Sequence, residues 1–461
     1  EGLAGIDADD FVGPLPTGTL PSGTVNFAVD ETIQTIVVSV AGDRAFESDE
    51  SFSVRLLSPT GNVETAQGTI LNDDSEPPLI NGLSATVYVD DDGFIVGGEK
   101  SGEQYESDLF STVDGTPTPN DVIVGTDGDD DIWAGPDGSD LIDGGLGNDT
   151  IGFGNGGSQV IAGPGNDFVY AFGTNNGTNI IDLGTGNNGF WAPDGDNIVT
   201  MTGSGSQEIG IGTGNDTVTL GDGDDFVYSV NGGGGTNTLE LGEGNNSVWV
   251  EAGDYVITAG SGNNAIGIGT GDDMVTTGDG DDFVYSVNGG GGTDILELGE
   301  GNNSVWVENG DYDITTGAGA DSIGLGTGTD RVNAGDGNNS IYTIDAAIAG
   351  DKDIVTGMGN DYIQTGAGDD VLNGGEGFNL LIGGGGIDEF VVNAAAYNSI
   401  SDFEVGIDTI RLDGFSLGDA TTIAQGTGDT ASDVFLSLNG EVILQVANLT
   451  VEELSTPANF V

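Results

Sequence analysis

The sequence predicts an all-β chain dominated by a solenoid of stacked short coils, and three observations carry that prediction. One nine-residue phrase recurs from about residue 121 to residue 391, in its cleanest form as Gly144-Gly145-Leu146-Gly147-Asn148-Asp149-Thr150-Ile151-Gly152. A 57-residue period overlies it: Ile209 to Ala265 and Ile266 to Ser322 are near-copies, and Ile151 to Glu208 is a diverged relative with one extra residue. Acidic residues outnumber basic ones 77 to 6, for a formal charge of -71. Such a polyanion resists compaction by self-repulsion unless cations enter the fold.

The phrase is a folding unit and a metal-binding unit at once. Glycines at its first, second and fourth places allow positive φ, so a tight loop can aim its carbonyl oxygens inward. The aspartate at the sixth place adds a carboxylate, and hard oxygen donors of this kind select Ca²⁺. Places seven to nine are long enough for one short strand whose middle side chain points inward. Stacked copies then form a calcium-stapled β-coil.

Four regions follow from punctuation and rhythm. Residues 1–74 carry alternating segments, Gly23-Thr24-Val25-Asn26-Phe27, Thr35-Ile36-Val37-Val38-Ser39-Val40 and Ser51-Phe52-Ser53-Val54-Arg55-Leu56, separated by turn residues, and predict part of a β-sandwich. Residues 75–120 open on Ser75-Glu76-Pro77-Pro78 and predict a linker with one hairpin, Ala85 to Val89 returning as Phe94 to Val96. Residues 121–391 are the repeat array. Residues 392–461 lose the glycine rhythm but keep short strands, as expected of a cap on a repeat stack. No stretch approaches the ~18 apolar residues of a membrane helix.

Composition closes several function classes. The chain has no histidine and no cysteine, which removes Ser-His-Asp triads, Cys-His pairs, thiolate metal sites and disulfides. Gly414-Phe415-Ser416-Leu417-Gly418 spells a nucleophile elbow, but with 86 glycines and no imidazole base it is read as coincidence. Arg44, Arg55, Lys100, Arg331, Lys352 and Arg411 are scattered, so no basic patch for nucleic acid exists. The chain is therefore read as non-enzymatic.

Each 57-residue unit divides into six coils, five of nine residues and a third of twelve, Ser229 to Glu240 and Ser286 to Glu297. If two coils make one turn, six make three turns, and equivalent side chains return to one face. Ninth places then carry Tyr170, Tyr228 and Tyr285, with Tyr342 in a partial fourth unit, and Trp191, Trp249 and Trp306 two coils later. Seventh and ninth places point outward when the eighth points in, so these rings are expected to form a ladder on one outer face. Two readings stand beside each other: cross-strand packing that stiffens the sheet, or a docking stripe for glycan or another subunit.

The nonapeptides resemble the RTX family, the GGxGxDxUx repeat proteins of bacteria, over roughly 270 residues. The resemblance implies a parallel β-roll with Ca²⁺ between successive loops, type I export in an unfolded state, and folding outside the cell. Carried over by place, the metal-binding aspartates are Asp130, Asp140, Asp149, Asp167, Asp216, Asp225, Asp273, Asp282, Asp321, Asp330, Asp361, Asp370 and Asp388. The sixth place is instead Asn188, Asn197, Asn246, Asn264, Asn303, Asn339 and Asn379 in other coils, and Ser158, Gln207, Tyr255 or Tyr312 elsewhere. An amide is a weaker ligand and can join an asparagine ladder that needs no ion. Calcium is therefore expected at partial occupancy, at both ends of the roll and at the first two coils of each unit.

The first region resembles the second half of a Calx-β domain through Asp9-Asp10-Phe11, Gly23 to Phe27, Gly42-Asp43, Glu47 to Phe52 and Gly68 to Asp74. That resemblance implies Ca²⁺ at end-loop acids, here Asp10, Asp43, Glu50, Asp73 and Asp74. About the first 30 to 35 residues of such a sandwich do not precede Glu1, so either this is a processed piece or another subunit donates strands, which would build a fibre. Residues Asp388-Glu389-Phe390-Val391, Ile400 to Ile410 and the ending Ala458-Asn459-Phe460-Val461 resemble the C-terminal segment of secreted RTX proteins. These resemblances lead to an extracellular, calcium-dependent structural protein of a bacterial surface layer, sheath or fibre, self-assembling and with no membrane span. The alternatives are an adhesin that binds glycan through the Tyr/Trp ladder, and a secreted enzyme whose catalytic part lies upstream.

Overall fold

The coordinates are a computed structural model, which describes residues 24–28, 33–34, 50–70, 77–89, 95–96, 110–111, 121–173, 177–345, 347, 350–419 and 421–461. The chain is almost wholly β, and the repeats wind into a parallel solenoid of about 16 turns. Its strands belong to one continuous 36-stranded sheet that wraps around the axis. Each strand pairs in parallel with the one two coils later, as Thr150–Phe153 with Phe168–Ala171 and Leu141–Asp143 with Gln159–Ile161. Two coils therefore make one turn, and a flattened roll results with two sheets and two edges.

The core is a double file of eighth-place side chains. Ile132, Ile151, Val169, Phe190, Ile209 and Val227 line one sheet, Ile142, Val160, Ile181, Val199 and Val218 the other, and all are fully buried. Two walls of branched aliphatics facing each other explain why the coil flattens, since short strands bring only one or two inward side chains each. Glycine does the remaining work where turns stack. A Cβ on Gly145 (φ +96°) would lie 2.0 Å from the carbonyl oxygen of Thr126 in the preceding turn, so only glycine permits that approach.

The twelve-residue coils keep register by widening the edge. Gly233–Glu240 pairs with Ala252–Thr258 across an irregularity between Gly233 and Thr236, and Asn231 takes φ +55°. The three extra residues thus bulge out while Leu239 stays over Ile257.

Both ends extend beyond the glycine rhythm. Phe110–Ser111 pairs in parallel with Ile132–Trp133, and Val87 bridges Ile123, so the region read as a linker lies against the first turns and buries Ile80, Val87 and Tyr88. The expected hairpin is present as Tyr88–Val89 against Ile95–Val96. At the other end Ala396–Ile400 and Thr409–Asp413 continue the parallel ladder, carrying buried Ile400 and Ile410. Antiparallel strands Thr421–Gln425, Val434–Leu438 and Glu441–Val446 then close the stack, followed by the short helix Val451–Leu454 with a capping box between Thr450 and Glu453.

In the first region Glu50–Leu57 and Val63–Ile70 form an antiparallel hairpin. The strand expected at Gly23 to Phe27 is a correction: residues 24–28 are assigned to no strand and are mostly exposed. Alternation alone does not make a strand. The segment Thr35 to Val40 lies outside the described residues.

Candidate metal sites

The sixth-place residues form two columns, one along each edge. On the first edge the order is Asp130, Asp149, Asp167, Asn188, Gln207, Asp225, Asn246, Asn264, Asp282, Asn303, Asp321, Asn339, Asp361 and Asn379. Each member's backbone N–H donates to the side-chain oxygen of the next, as Asp130 to Asp149 Oδ1 (2.8 Å), Asp149 to Asp167 (2.8 Å) and Asp167 to Asn188 (2.8 Å). The second edge runs from Asp140 through Ser158, Asn179, Asn197, Asp216, Asn237, Tyr255, Asp273, Asp294, Tyr312, Asp330, Lys352, Asp370 and Asp388 to Asp408. Its ladder includes Asp273 to Asp294 (2.8 Å) and Asp388 to Asp408 (3.1 Å). These bonds orient every carboxylate into its own loop.

The ladder uses one carboxylate oxygen and leaves the other. Oδ2 of Asp140, Asp149, Asp167, Asp216, Asp225, Asp273, Asp282, Asp294 and Asp370 is buried without a hydrogen-bond partner. Burial raises the pKa of Asp149 and Asp273 to about 7 and of Asp140, Asp167, Asp216, Asp225 and Asp294 to about 6, with neighbouring carboxylates adding to the rise at Asp149 and Asp273. A buried, unpaired carboxylate oxygen is costly, and a cation relieves that cost. Among the described residues no group of three or more acids gathers around one point. A bound ion would take most of its ligands from loop carbonyls, which suits calcium. At Asp321 and Asp361 the second oxygen instead accepts from Thr316 Oγ1 (2.6 Å) and Thr356 Oγ1 (2.9 Å), so these two loops are partly satisfied from within.

Asparagine loops close differently. Asn264 Nδ2 donates to its own loop carbonyls Gly260 O (3.2 Å) and Gly262 O (3.1 Å) and to Asp282 Oδ1 (2.9 Å). Asn303 does the same with Gly299 O (3.0 Å) and Gly301 O (3.5 Å). The amide hydrogens fill the space that a cation would fill beside a carboxylate.

Register decides which acids are neighbours. Asp216 and Asp225, the first two coils of one unit, lie on opposite edges, with Asn237 following Asp216 and Asn246 following Asp225. Carboxylates stack on carboxylates at Asp130, Asp149 and Asp167, at Asp370, Asp388 and Asp408, and mid-roll at Asp273 and Asp294. Sequence reasoning missed Asp294 and Asp408 because a twelve-residue coil and a glycine-poor loop hide their sixth places. It also missed the fifth places, which form an exposed ladder of opposite sense: Asn166 N–H donates to Asn148 Oδ1 (2.9 Å) and Asn187 N–H to Asn166 Oδ1 (2.8 Å). The recurrence of Asn and Asp at that place was the available signal. Of the Calx-β acids, Asp10, Asp43, Asp73 and Asp74 lie outside the described residues, and Glu50 begins the hairpin.

The model of the RTX calcium-binding nonapeptide repeat (4 copies) matches residues 120–151, 135–160, 212–229, 231–266, 269–289, 288–323, 325–343 and 355–390. The chain is an RTX-repeat protein. Proteins built on these repeats bind calcium and are typically secreted, and no described helix of this RTX chain is long and apolar enough to cross a membrane. No curated protein matches the chain.

The outer face of one sheet of the RTX roll carries the aromatic residues. Trp133, Gly152, Tyr170, Trp191, Gly210, Tyr228, Trp249, Gly267, Tyr285, Trp306, Gly324 and Tyr342 are successive register partners in one column. The ladder is thus regular but gapped, with a glycine at every third level. Tyr170, Tyr228 and Tyr285 stack on Phe168, Phe226 and Phe283 at centroid distances of 5.7, 5.2 and 5.0 Å. The tyrosines are half-buried, whereas Trp249 and Trp306 are 51 % and 45 % exposed. Trp133, which the sequence reading did not single out, heads the column and meets Phe172 edge-on at 5.4 Å.

Proposed function

We propose that this RTX protein is an extracellular, calcium-folded structural subunit of a bacterial surface layer, sheath or fibre, in which the roll is a rigid spacer. The observation that carries this reading is the file of buried carboxylate oxygens without partners along both edges of one uninterrupted stack. Calcium, held by the aspartates with a free Oδ2 and their loop carbonyls, would act as a folding ligand and make stability rise with its concentration. Sites of ~10⁻⁴ to 10⁻³ M suffice outside the cell. About 16 turns at ~4.8 Å give a rod on the order of 75 Å long.

Assembly is supported by the first region. The hairpin Glu50–Leu57 with Val63–Ile70 is a two-stranded sheet among the described residues, and Leu56, Leu57 and Val63 are exposed. Strands from a neighbouring subunit would complete the sandwich and propagate a head-to-tail polymer.

A second reading, glycan adhesion, is favoured by the exposed Trp249 and Trp306, whose faces are open to stack on sugar rings. One experiment separates the two. Electron microscopy and sedimentation with millimolar calcium should show ordered polymers for the wild type and for the Trp249→Ala, Trp306→Ala double variant. A wild type that stays monomeric at high concentration in calcium rejects the structural reading, and loss of polysaccharide retention in the double variant supports adhesion.

A further inference from the structure

One of the chain's 6 basic residues is buried inside the roll. Lys352 stands at a sixth place on the second edge, as the register partner of Asp330, where the repeat calls for Asp or Asn. Its ammonium lies 2.8 Å from Asp330 Oδ2, with both side chains fully excluded from solvent. It also donates to Gly326 O (3.1 Å) and Gly328 O (2.5 Å). Those carbonyls lie four and two residues before Asp330. They are the same two loop positions that the amides of Asn264 and Asn303 reach in asparagine loops.

We propose that Lys352 is a tethered cation that occupies the ion position of the Asp330 loop, so that this level of the second edge closes without metal. The set it engages is one carboxylate oxygen and two carbonyls, all hard acceptors lacking a hydrogen of their own. Among the described residues the other aspartate loops with a free Oδ2 form no ion pair with a lysine or arginine. Lys352 also keeps the ladder running, since its N–H donates to Asp370 Oδ1 (2.7 Å). A metal-free staple therefore lies between the Asp273–Asp294 pair and the Asp370–Asp388–Asp408 run. The proposal rests on the reading that aspartate loops take calcium, and its test keeps the two apart.

Bound calcium is counted by native mass spectrometry of the full chain. Lys352→Met keeps the apolar stem and removes the charge, so the Asp330 loop must take an ion and the count should rise by one. Lys352→Arg should leave the count unchanged, and Asp273→Asn should lower it. A fall at Asp273→Asn with no rise at Lys352→Met overturns the lysine assignment alone. No calcium on the wild type overturns the metal reading beneath it. If Lys352→Met does not fold, anomalous scattering from calcium in wild-type crystals decides: a peak at Asp330 Oδ2 rejects the proposal, and peaks at Asp273 but none at Asp330 sustain it.

Discussion

At three of the four glycine levels of the aromatic column, those of Gly152, Gly210 and Gly267, a tyrosine ring already lies where a side chain would go. A Cβ on Gly152 would meet Tyr170 Cζ at 2.6 Å and Oη at 2.7 Å, and Gly210 and Gly267 face Tyr228 and Tyr285 at 2.9 and 2.7 Å. Replacing glycine in a strand normally stabilises by about 0.4–1 kcal/mol through the unfolded chain, while forced overpacking costs about 1–3 kcal/mol. Gly152→Ala should therefore destabilise by about 1–2 kcal/mol in calcium-saturated urea unfolding. In the background of Tyr170→Ala the same change should be neutral or stabilising, and an additive cycle would show that the ring does not rest on the glycine. The tyrosines and tryptophans were legible from sequence because their period is 57 residues. Their glycine partners were not, because among 86 glycines those at ninth places look like turn punctuation until register sets each beside a ring.

At the scale of the coil, the sixth place offers several closures, among them an amide that satisfies its own loop, a lysine from the next turn, and a carboxylate with one oxygen left unpartnered. Asn264→Asp tests this choice. The substitution removes donors to Gly260 O, Gly262 O and Asp282 Oδ1 and sets two carboxylates one turn apart. At limiting calcium the variant should lose about 1–3 kcal/mol, the cost of buried acceptors left without donors. In millimolar calcium the loss should shrink or reverse, with a steeper dependence of the unfolding midpoint on calcium. A penalty independent of calcium would mean the loop is closed to metal. The nonapeptide rhythm made the strands, the two-coil turn and the eighth-place core readable from sequence. It failed at Asp294, where a twelve-residue coil displaces the sixth place, and at Asp408, where the loop lost its glycine spelling, but the buried Leu296 and Ile410 kept each coil in place. Packing, rather than the motif, holds the register there.

At the scale of the whole molecule, proton and calcium compete for the same oxygens. Burial raises Asp149, Asp273 and Asp388 from 3.8 to about 7, and Asp140, Asp167, Asp216, Asp225 and Asp294 to about 6. A carboxyl with a raised folded-state pKa binds its proton more tightly when folded. Its contribution to the metal-free fold is complete below the unfolded value of 3.8 and is lost as pH rises through about 6 to 7. The formal charge of -71 works in the same direction, since protonation also lowers self-repulsion. Calcium reverses the slope, because its ligands must be deprotonated and binding releases protons. In chelator, far-ultraviolet circular dichroism should therefore gain β signal as pH falls from about 7.5 toward 4. With millimolar calcium the fold should persist at pH 7.5, and calcium affinity should weaken as pH falls through about 7 to 6. Calcium added to chelated chain at pH 6.5 should release protons measurable in weak buffer. A chelated chain whose β signal is already full at pH 7.5 would mean that the buried carboxylates are satisfied without any cation, and the account of this roll as an ion-closed stack would fail with it.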